Sequence, residues 1–430
     1  MTRNGIAFAS LVWPTWHHRL HSPVFFDTRD ICSNQKDVME VNMAAASADT
    51  NTNTNAKSPS PRTAKQKQPP DEAARPLVIV TGAGGLIGAP LVERLAKTYA
   101  VVGLDVAEQP ESLAALGNVD WLKCDLTEDA DVQATLEKIH KRHGNRIAAV
   151  VHLAAYYDFS GEPSPLYQQL TIDGTRRLLR ALSTFDVVER FIFSSSLLAM
   201  KPVELGQTIN ENSPTQAEWD YPQSKLAAEQ VIKEQRGDIP AAIARLAGAY
   251  DEHGHSPPLA NQIARIYERN LESHLFPGDV DHGQSFVHLD DAVEALALMV
   301  DKRSAYADYE VFLIGEREVL SYGKLQDTIG QLIHGKDWTT MRIPKVVAKA
   351  GAWAKDKMAG EDDKPFIKPW MIDLADAHYP IDVKKARHWL GWQPEHSLRD
   401  TLPDMVRSLL ANPEGWYREN GLPVPEGARA

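Results

Sequence analysis

The sequence of 430 residues contains only two cysteines, Cys32 and Cys124, and it lacks a long apolar run. Two distant cysteines cannot form a disulfide framework, which fits a reducing compartment, and a buried structural role is expected for Cys124. A helix that spans a membrane needs ~18 or more consecutive apolar residues, and none is found. We therefore expect a cytoplasmic protein without an integral membrane segment.

An excess of positive charge is also lacking. The net charge is −12, and the chain is 43% hydrophobic and 24% charged. An acidic body argues against nucleic acid or an anionic membrane as the main partner, and the apolar content is sufficient for a large core.

Acidic residues are missing from the first 26 positions, where Arg3 and Arg19 occur. This pattern is typical of a mitochondrial presequence, and the matrix is the alternative compartment. An extended gene-model start is the other reading, because Met39 and Met43 follow, and the presence of residues 1–42 in the mature protein stays open. Residues 44–75 have almost no large apolar side chains and should be disordered. We expect residues 1–75 to be a disordered or targeting extension.

After Arg75, short apolar segments alternate with longer helical patterns. The predicted strands are 76–82, 100–105, 119–125, 147–154, 190–196 and 240–248, and the predicted helices are 85–98, 128–142, 165–184 and 221–236. Strands that are apolar on both faces belong to a parallel sheet covered by helices on both sides. The pattern predicts an α/β fold with a doubly wound parallel sheet of the Rossmann type over residues 76–250.

Beyond residue 250 the alternation weakens, prolines interrupt it, and six of the ten tryptophans lie after residue 330. We expect residues 251–430 to form mainly a smaller, irregular substrate-binding lobe, with some elements returning to the sheet. Individual tryptophans there are expected to fill a small core. The segment 343–358 has the pattern of a basic amphipathic helix, either a lid with a solvated lysine face or a surface that lies on a membrane or partner.

Three glycines in "VIVTGAGGLIGAPLVERL", Gly82, Gly85 and Gly88, stand where the first strand turns into the first helix. Glycines allow a tight turn and a close approach to a pyrophosphate, and the helix N-terminus offers free N–H groups. Asp105 ends the second strand and is suited to bind both hydroxyls of an adenosine ribose. Its charge would repel a 2′-phosphate, which favours NAD over NADP as cofactor.

Tyr221 and Lys225 lie four residues apart at the start of a predicted helix, on the same face. A bare Tyr-x-x-x-Lys match is weak, but here it follows an acidic loop that contains proline, and an upstream strand ends in Ser194, Ser195 and Ser196. A nearby cation should lower the pKa of the tyrosine toward neutrality, where proton exchange with an alcohol or ketone becomes efficient. These residues predict a proton-transfer site.

An ordered set of motifs extends this pattern: "TGAGGLIG", "CDL" (124–126), "HLAA" (152–155), "FSSS" (193–196), "YPQSK" (221–225), "ARLAGAY" (244–250), "FVHLDDAVEAL" (286–296) and "DVKKARHWLGWQP" (382–394). Together they resemble the extended short-chain dehydrogenase/reductase superfamily, and within it the NAD-dependent epimerase/dehydratase family, over residues 75–410.

The resemblance implies a role for each matched residue. Tyr221 would be the general acid/base, Lys225 would bind the nicotinamide ribose and depress the pKa of the tyrosine, and Ser196 would polarise the substrate oxygen, with Ser195 as the fallback. The cofactor would contact Gly82, Gly85, Leu86, Ile87, Gly88, Asp105, Asp125, Leu126, Ala154, Ala155, Tyr221 and Lys225, with Asp125 and Leu126 flanking the adenine. His288 and Asp290 would structure the join between the sheet and the lobe.

The sequence departs from the family pattern at several positions. Thr171 replaces an asparagine, so its hydroxyl would bond a backbone carbonyl or water. Gln284 replaces an arginine that grips a diphosphate, and Ala247 and Gly248 lack an expected asparagine, so a nucleotide sugar is less favoured. The stretch "LLAM" (197–200) lacks the acidic pair of the dehydratases, which argues against elimination of water.

These observations predict an NAD-dependent oxidoreductase that transfers hydride at a secondary alcohol or ketone. Two alternatives stay open: an epimerase of a sugar or nucleotide sugar, and a non-catalytic NAD-sensing or scaffold protein. The histidines show no convincing ligand spacing, so no metal is expected. The expected partner is a small molecule, an alcohol, ketone or sugar derivative, and a homodimer is compatible with the helical faces. Substrate identity and reaction direction are not defined by the sequence.

Overall fold

The computed structural model describes residues 75–159, 161–358 and 367–428. The extension predicted for residues 1–75, including Cys32, lies outside these ranges apart from Arg75. Cys124, the other cysteine, is buried, as expected.

The six predicted strands occur at nearly the predicted positions, and the structure contains further short strands. They are β1 (Leu77–Thr81), β2 (Ala100–Asp105), β3 (Val119–Lys123), β4 (Arg146–Ile147), β5 (Ala149–His152), β6 (Val187–Val188), β7 (Phe191–Ser196), β8 (Ala241–Leu246), β9 (Gly248–Tyr250), β10 (Leu275–Pro277), β11 (Phe286–His288), β12 (Tyr309–Ile314) and β13 (Met341–Ile343).

The central sheet has seven strands in the order β12-β8-β7-β5-β1-β2-β3. Every pairing in it is parallel. Strand β1 and strand β8 are buried along their whole length, because both faces are covered by helices. Strand β3 forms one edge and is half-buried, so its predicted burial is only partly realised. The parallel doubly wound sheet confirms the predicted fold class.

The helices are α1 (Gly88–Ala96), α2 (Glu111–Ala114), α3 (Asp129–His143), α4 (Asp173–Leu182), α5 (Asp220–Gln235), α6 (Pro257–Tyr267), α7 (Leu289–Asp301), α8 (Tyr322–His334), α9 (Lys345–Met358), α10 (Met371–Leu374), α11 (Lys384–Leu390), α12 (Leu398–Ala411) and α13 (Pro413–Glu419). Apolar residues of α1, α7 and α11 share one core with the sheet. Those of α3, α4 and α5 form the core on the opposite face.

A third core lies between α6, α8, α12 and α13 and contains Trp338 and Trp416. These two side chains are buried, as expected for tryptophans that fill a small core, and Trp392 is buried in the core of α1, α7 and α11. Trp353 and Trp389 are exposed instead. The core-filling interpretation therefore applies to some of the late tryptophans and not to others.

Two predicted segments are divided in the structure. The helix predicted for 165–184 begins as a π-helix at Tyr167–Ile172 and continues as α4. The strand predicted for 240–248 ends at Leu246, and the chain then leaves the sheet, so that β9 pairs with β11. Hydrophobic periodicity does not distinguish these local changes from a continuous element.

Helix α9 carries its apolar side chains outward. Val346, Trp353 and Met358 are exposed, whereas Lys345 and Lys349 form ion pairs with Asp376 and Asp373 beside α10. The side chains of Lys345 and Lys349 stay 33% and 42% exposed, so the lysine face is partly solvated and also contacts acidic residues. Among the described residues, no helix combines the length and apolarity needed to cross a bilayer.

Candidate active site

The turn between β1 and α1 is built for close approach. Gly82 has φ +65°, and a Cβ there would lie 2.8 Å from the backbone nitrogen of Ala154; a Cβ at Gly88 would collide with the carbonyl oxygen of Gly82. No side chain caps the start of α1, and its first turn has no acidic residue. The free N–H groups at this helix start suit a pyrophosphate, so the turn fits a dinucleotide cofactor.

Asp105 lies at the end of β2, beside the glycine turn. Its Oδ2 accepts a hydrogen bond from the backbone N–H of Gly84 at 2.9 Å, and its Oδ1 accepts one from Ala107 at 3.0 Å. Each oxygen keeps a second lone pair for a ribose hydroxyl. The glycine turn therefore holds the Asp105 carboxylate in position beside the proposed cofactor site.

Trp121 is a neighbour of this region that sequence reasoning missed. Its indole packs directly on Gly103 and within 3.6 Å of the Cβ position of Gly84, and its Nε1 donates to the carbonyl of Ala107 at 3.2 Å. Trp121 therefore forms one wall beside Asp105. The only sequence signal was a tryptophan on an edge strand opposite a glycine.

The remaining residues of the predicted cofactor set lie along the same sheet edge. Asp125 Oδ1 accepts from the backbone and hydroxyl of Thr127, and the backbone N–H of Ala154 donates to Thr81 Oγ1 at 3.2 Å. Ala155 is half-buried. The Leu126 side chain belongs to the core of α3, α4 and α5, so it packs in the interior beneath this sheet edge.

Thr171, which stands in the usual asparagine position, lies in the π-helix and is fully buried. Its hydroxyl accepts a hydrogen bond from the backbone N–H of Tyr156 at 3.0 Å. The hydroxyl therefore accepts from an N–H group, and its own proton stays available for the predicted bond to a carbonyl or water. This contact ties the loop after β5 to the π-helix and fixes the start of the segment Tyr156–Tyr157.

Tyr221 and Lys225 stand one turn apart on α5, both buried. The Lys225 ammonium donates to the carbonyl oxygen of Ser194 at 2.8 Å, and it lies 5.8 Å from the centre of the Tyr221 ring. The Ser196 hydroxyl lies close enough to the Tyr221 phenol to act on its pKa. The structure thus brings Tyr221, Lys225 and Ser196 together at the carboxyl end of β7.

Burial decides the ionisation of the tyrosine. It raises the pKa of Tyr221 to about 12, although the Ser196 hydroxyl acts in the lowering direction. The predicted depression toward neutrality is therefore wrong for the protein without its ligands. Burial also lowers the pKa of Lys225 to about 7, against the raising effect of Glu229, so the lysine supplies less than a full charge near pH 7.

Ser195 points away from this group. Its hydroxyl donates to Glu229 Oε1 at 2.5 Å, and Glu229 forms a two-point ion pair with Arg245, with Nε to Oε1 at 3.0 Å and Nη2 to Oε2 at 2.6 Å. Both charged side chains are 7% exposed. This buried pair links β7, β8 and α5 behind the site, and it makes Ser196, not Ser195, the serine next to Tyr221.

A further cluster of polar residues was not predicted from the sequence. Potential ligand atoms of His288, Asp290 and His396 lie within 4.8 Å of one another. However, His288 Nδ1 accepts from the backbone N–H of Asp290 as the cap of α7, and the two imidazole rings stack with centroids 4.0 Å apart. Stacked rings direct their lone pairs in parallel, which favours the expected structural role.

The fold and this geometry define a class: a doubly wound α/β enzyme with a dinucleotide turn and a tyrosine/lysine pair at the same sheet edge. Comparison with known proteins agrees with this class. A sequence profile of the NAD dependent epimerase/dehydratase family matches residues 78–315. Because the match covers more than half of the chain, the protein belongs to the NAD-dependent epimerase/dehydratase family.

Individual relatives are distant but extend over most of the chain. The UDP-glucose 4-epimerase of Mycolicibacterium smegmatis is 25% identical over 344 residues, which cover 76% of this chain and 96% of that protein. The NADPH-dependent methylglyoxal reductase of Saccharomyces cerevisiae is 23% identical over 370 residues, 77% of this chain and 98% of that protein. A crystal structure of UDP-glucuronic acid 4-epimerase from Bacillus cereus in complex with NAD has a TM-score of 0.55 at 21% identity and covers 77% of this chain and 99% of that one.

The glycine turn yields a first prediction. Gly88→Ala should lower the free energy of unfolding by roughly 1–3 kcal/mol and weaken NAD binding, because the added methyl group forces α1 away from the turn. Denaturant unfolding and titration calorimetry would measure both effects. Gly351→Ala, in the exposed middle of α9 with no atom within 4 Å of the new Cβ, is the control and should be neutral or stabilising. Unchanged NAD affinity in Gly88→Ala would contradict this account of the turn.

The buried ion pair yields a second prediction. Glu229→Gln leaves the charge of Arg245 buried without compensation, so the free energy of unfolding should fall by about 3 kcal/mol. The exposed pair Glu318–Arg399, with both side chains 48% exposed, provides the control: Glu318→Gln should cost less than about 1 kcal/mol. Equal losses in the two variants, measured by urea unfolding, would show that the buried pair contributes no more to the free energy of unfolding than the exposed pair.

Lys225 yields a prediction on pH. Its pKa is about 7 in the folded protein against a reference of 10.5, so the unfolded chain binds more protons between these values and folding stability rises with pH in that window. The stability of wild type relative to Lys225→Met should therefore increase from pH 7 to pH 10.5 and level off outside it. Exposed Lys336→Met is the control. Parallel stability curves for wild type and Lys225→Met would refute the shift.

Proposed function

We propose that this protein is an NAD-dependent oxidoreductase that interconverts a secondary alcohol and a ketone, with Tyr221 as the general acid/base. The observation that carries the proposal is the meeting of Tyr221, Ser196 and Lys225 at the carboxyl end of β7. This edge of the sheet is shared with the glycine turn after β1 and with Asp105 after β2.

The cofactor side rests on residues that fit a dinucleotide. Gly82, Gly85 and Gly88, with the backbone of Leu86 and Ile87, would hold the pyrophosphate against the start of α1. Asp105 would hold the adenosine ribose, and its charge would disfavour a 2′-phosphate, which selects NAD over NADP.

Further along the edge, Asp125 and Leu126 would border the adenine, and Ala154 and Ala155 would line the middle of the cofactor site. Lys225 would bind the nicotinamide ribose.

Bound NAD would supply the chemistry that the side chains lack, which is acceptance of a hydride from the alcohol carbon. In the oxidation, Tyr221 takes the hydroxyl proton, and in the reduction it returns that proton to the ketone oxygen. Ser196 donates to the same oxygen. With its pKa raised to about 12, Tyr221 is protonated at neutral pH, so it is set as the acid for reduction, whereas oxidation requires its deprotonation and should accelerate as the pH rises.

Epimerisation of a sugar is the second candidate, and the similarity to a UDP-glucose 4-epimerase favours it. It would use the same oxidation and then return hydride to the opposite face, with no net change in the cofactor. Gln284 weighs against it, because this amide replaces an arginine that would pair with a diphosphate. Accumulation of free NADH during turnover distinguishes the two reactions.

Tyr221→Phe tests the proposal. The variant should lose roughly 10²–10⁴-fold in kcat with little change in KM, because the phenol acts mainly in the transition state. NADH absorbance would be followed with a panel of secondary alcohols, ketones and nucleotide sugars. Tyr267→Phe, on α6 in the third core, is the matched control and should keep full activity. Undiminished turnover in Tyr221→Phe would remove the mechanism and favour a non-catalytic or differently catalysed role.

A further inference from the structure

Four aromatic side chains surround the proposed catalytic tyrosine, and neither the cofactor nor the chemistry requires them. We call Tyr157, Phe159, Trp219 and Trp370 the aromatic cluster. Ring centroids are separated by 5.0 Å for Tyr157 and Tyr221, 5.2 Å for Tyr157 and Phe159, 5.1 Å for Phe159 and Trp219, 5.5 Å for Trp219 and Tyr221, and 4.9 Å for Trp219 and Trp370. Tyr157, Phe159, Trp219 and Tyr221 thus close a circuit of ring contacts.

The cluster is assembled from three separate segments and is held by backbone contacts. The first segment is fixed by the Thr171 hydroxyl at Tyr156 and by the hydroxyl of Tyr167, which donates to the carbonyl of Asp158 at 3.0 Å. Trp219 directly precedes α5, and Trp370 directly precedes α10. A wall fixed in this way is available before any ligand binds.

The exposure of Tyr157 separates this cluster from an ordinary core. Tyr157 is 39% exposed although it packs edge-on against Tyr221, so the wall opens to solvent at the tyrosine. The Nε1 atom of Trp370 is buried and has no hydrogen-bond acceptor among the described residues. A Cβ at Gly161 would collide with this atom, so the indole edge packs against the Gly161 backbone and Nε1 does not face open space.

The charged residues next to Phe159 and Trp219 in the chain are negative, whereas Lys368, buried two residues before Trp370, is positive. Asp158 precedes Phe159, and Glu218 and Asp220 flank Trp219. Burial raises the pKa of Tyr167, and among the charges around it Asp158 and Asp220 raise it further. The ammonium of Lys225 is already bonded to the Ser194 carbonyl. A phosphate group on a substrate would therefore meet repulsion beside Phe159 and Trp219, whereas a neutral apolar body would not.

We propose that the substrate is an uncharged secondary alcohol or ketone whose reacting carbon carries an aromatic or fused-ring body, and that this body packs on the aromatic cluster. The proposal rests on the proposed function, since it takes the same Tyr221 as the group that reaches the reacting oxygen. Edge-to-face and offset contacts between rings favour a planar apolar body over an aliphatic chain.

Binding would be measured on the protein saturated with NAD⁺, with which a ketone cannot react, and turnover would be measured with NADH. The probes are 2-acetylnaphthalene, butanone and UDP-glucose. In titration calorimetry the naphthyl ketone should bind roughly 100-fold more tightly than butanone, because its naphthyl ring system becomes buried. UDP-glucose should show no binding. Tighter binding of UDP-glucose than of the naphthyl ketone would overturn the inference.

Variants of the cluster sharpen this test. Trp370→Leu and Tyr157→Leu, at the open side of the cluster, should each lower kcat/KM for 2-acetylnaphthalene about 10-fold or more while changing that for butanone less than about 3-fold. Trp389→Leu, which is 41% exposed on α11 outside the cluster, is the control and should change neither. Equal losses on both ketones, or none on either, would contradict the assigned role.

The two proposals fail differently. If the naphthyl ketone binds as expected but no alcohol or ketone is turned over, the proposed reaction is wrong, and only the binding of an aromatic body to the cluster stands. If small ketones are reduced in a Tyr221-dependent way but the naphthyl ketone binds no better than butanone, the reaction stands and the aromatic substrate class is wrong.

Discussion

A buried contact, from the ammonium group of Lys225 to the carbonyl oxygen of Ser194, joins helix α5 to the end of strand β7. It places Tyr221 one helical turn away, next to the Ser196 hydroxyl, and the same sheet edge holds the glycine turn. The contact is possible because parallel strands end together, so that a helix which follows β7 can return across its carboxyl end. Moving the lysine would separate the phenol from both the serine and the cofactor turn.

Much of the fold follows from local patterns. Short apolar strands between helices specify a parallel sheet, and Gly82, Gly88 and Asp105 occupy fixed positions in its first βαβ unit. The pair Tyr221 and Lys225 is detectable because four residues make one helical turn. Each of these signals lies within a few residues of sequence or within one structural unit, and this is the information that periodicity and spacing carry.

The features that sequence reasoning did not find depend on distant segments. The aromatic cluster combines Tyr157, Trp219 and Trp370, and no periodicity relates positions so far apart. The high pKa of Tyr221 arises from burial, which a motif does not reveal. Thr171 of the π-helix Tyr167–Ile172 contacts Tyr156, and two lysines of α9 pair with acids outside that helix; local periodicity reveals neither contact.

Strand β12 has a consequence for how the chain can be divided. It pairs along its whole length with β8, although its residues, 309–314, lie far beyond residue 250 in the sequence. A fragment that stops after residue 250 would leave β8 as an open margin with unpaired backbone groups, which is a template for aggregation. The first half is therefore a poor candidate for expression as an autonomous unit.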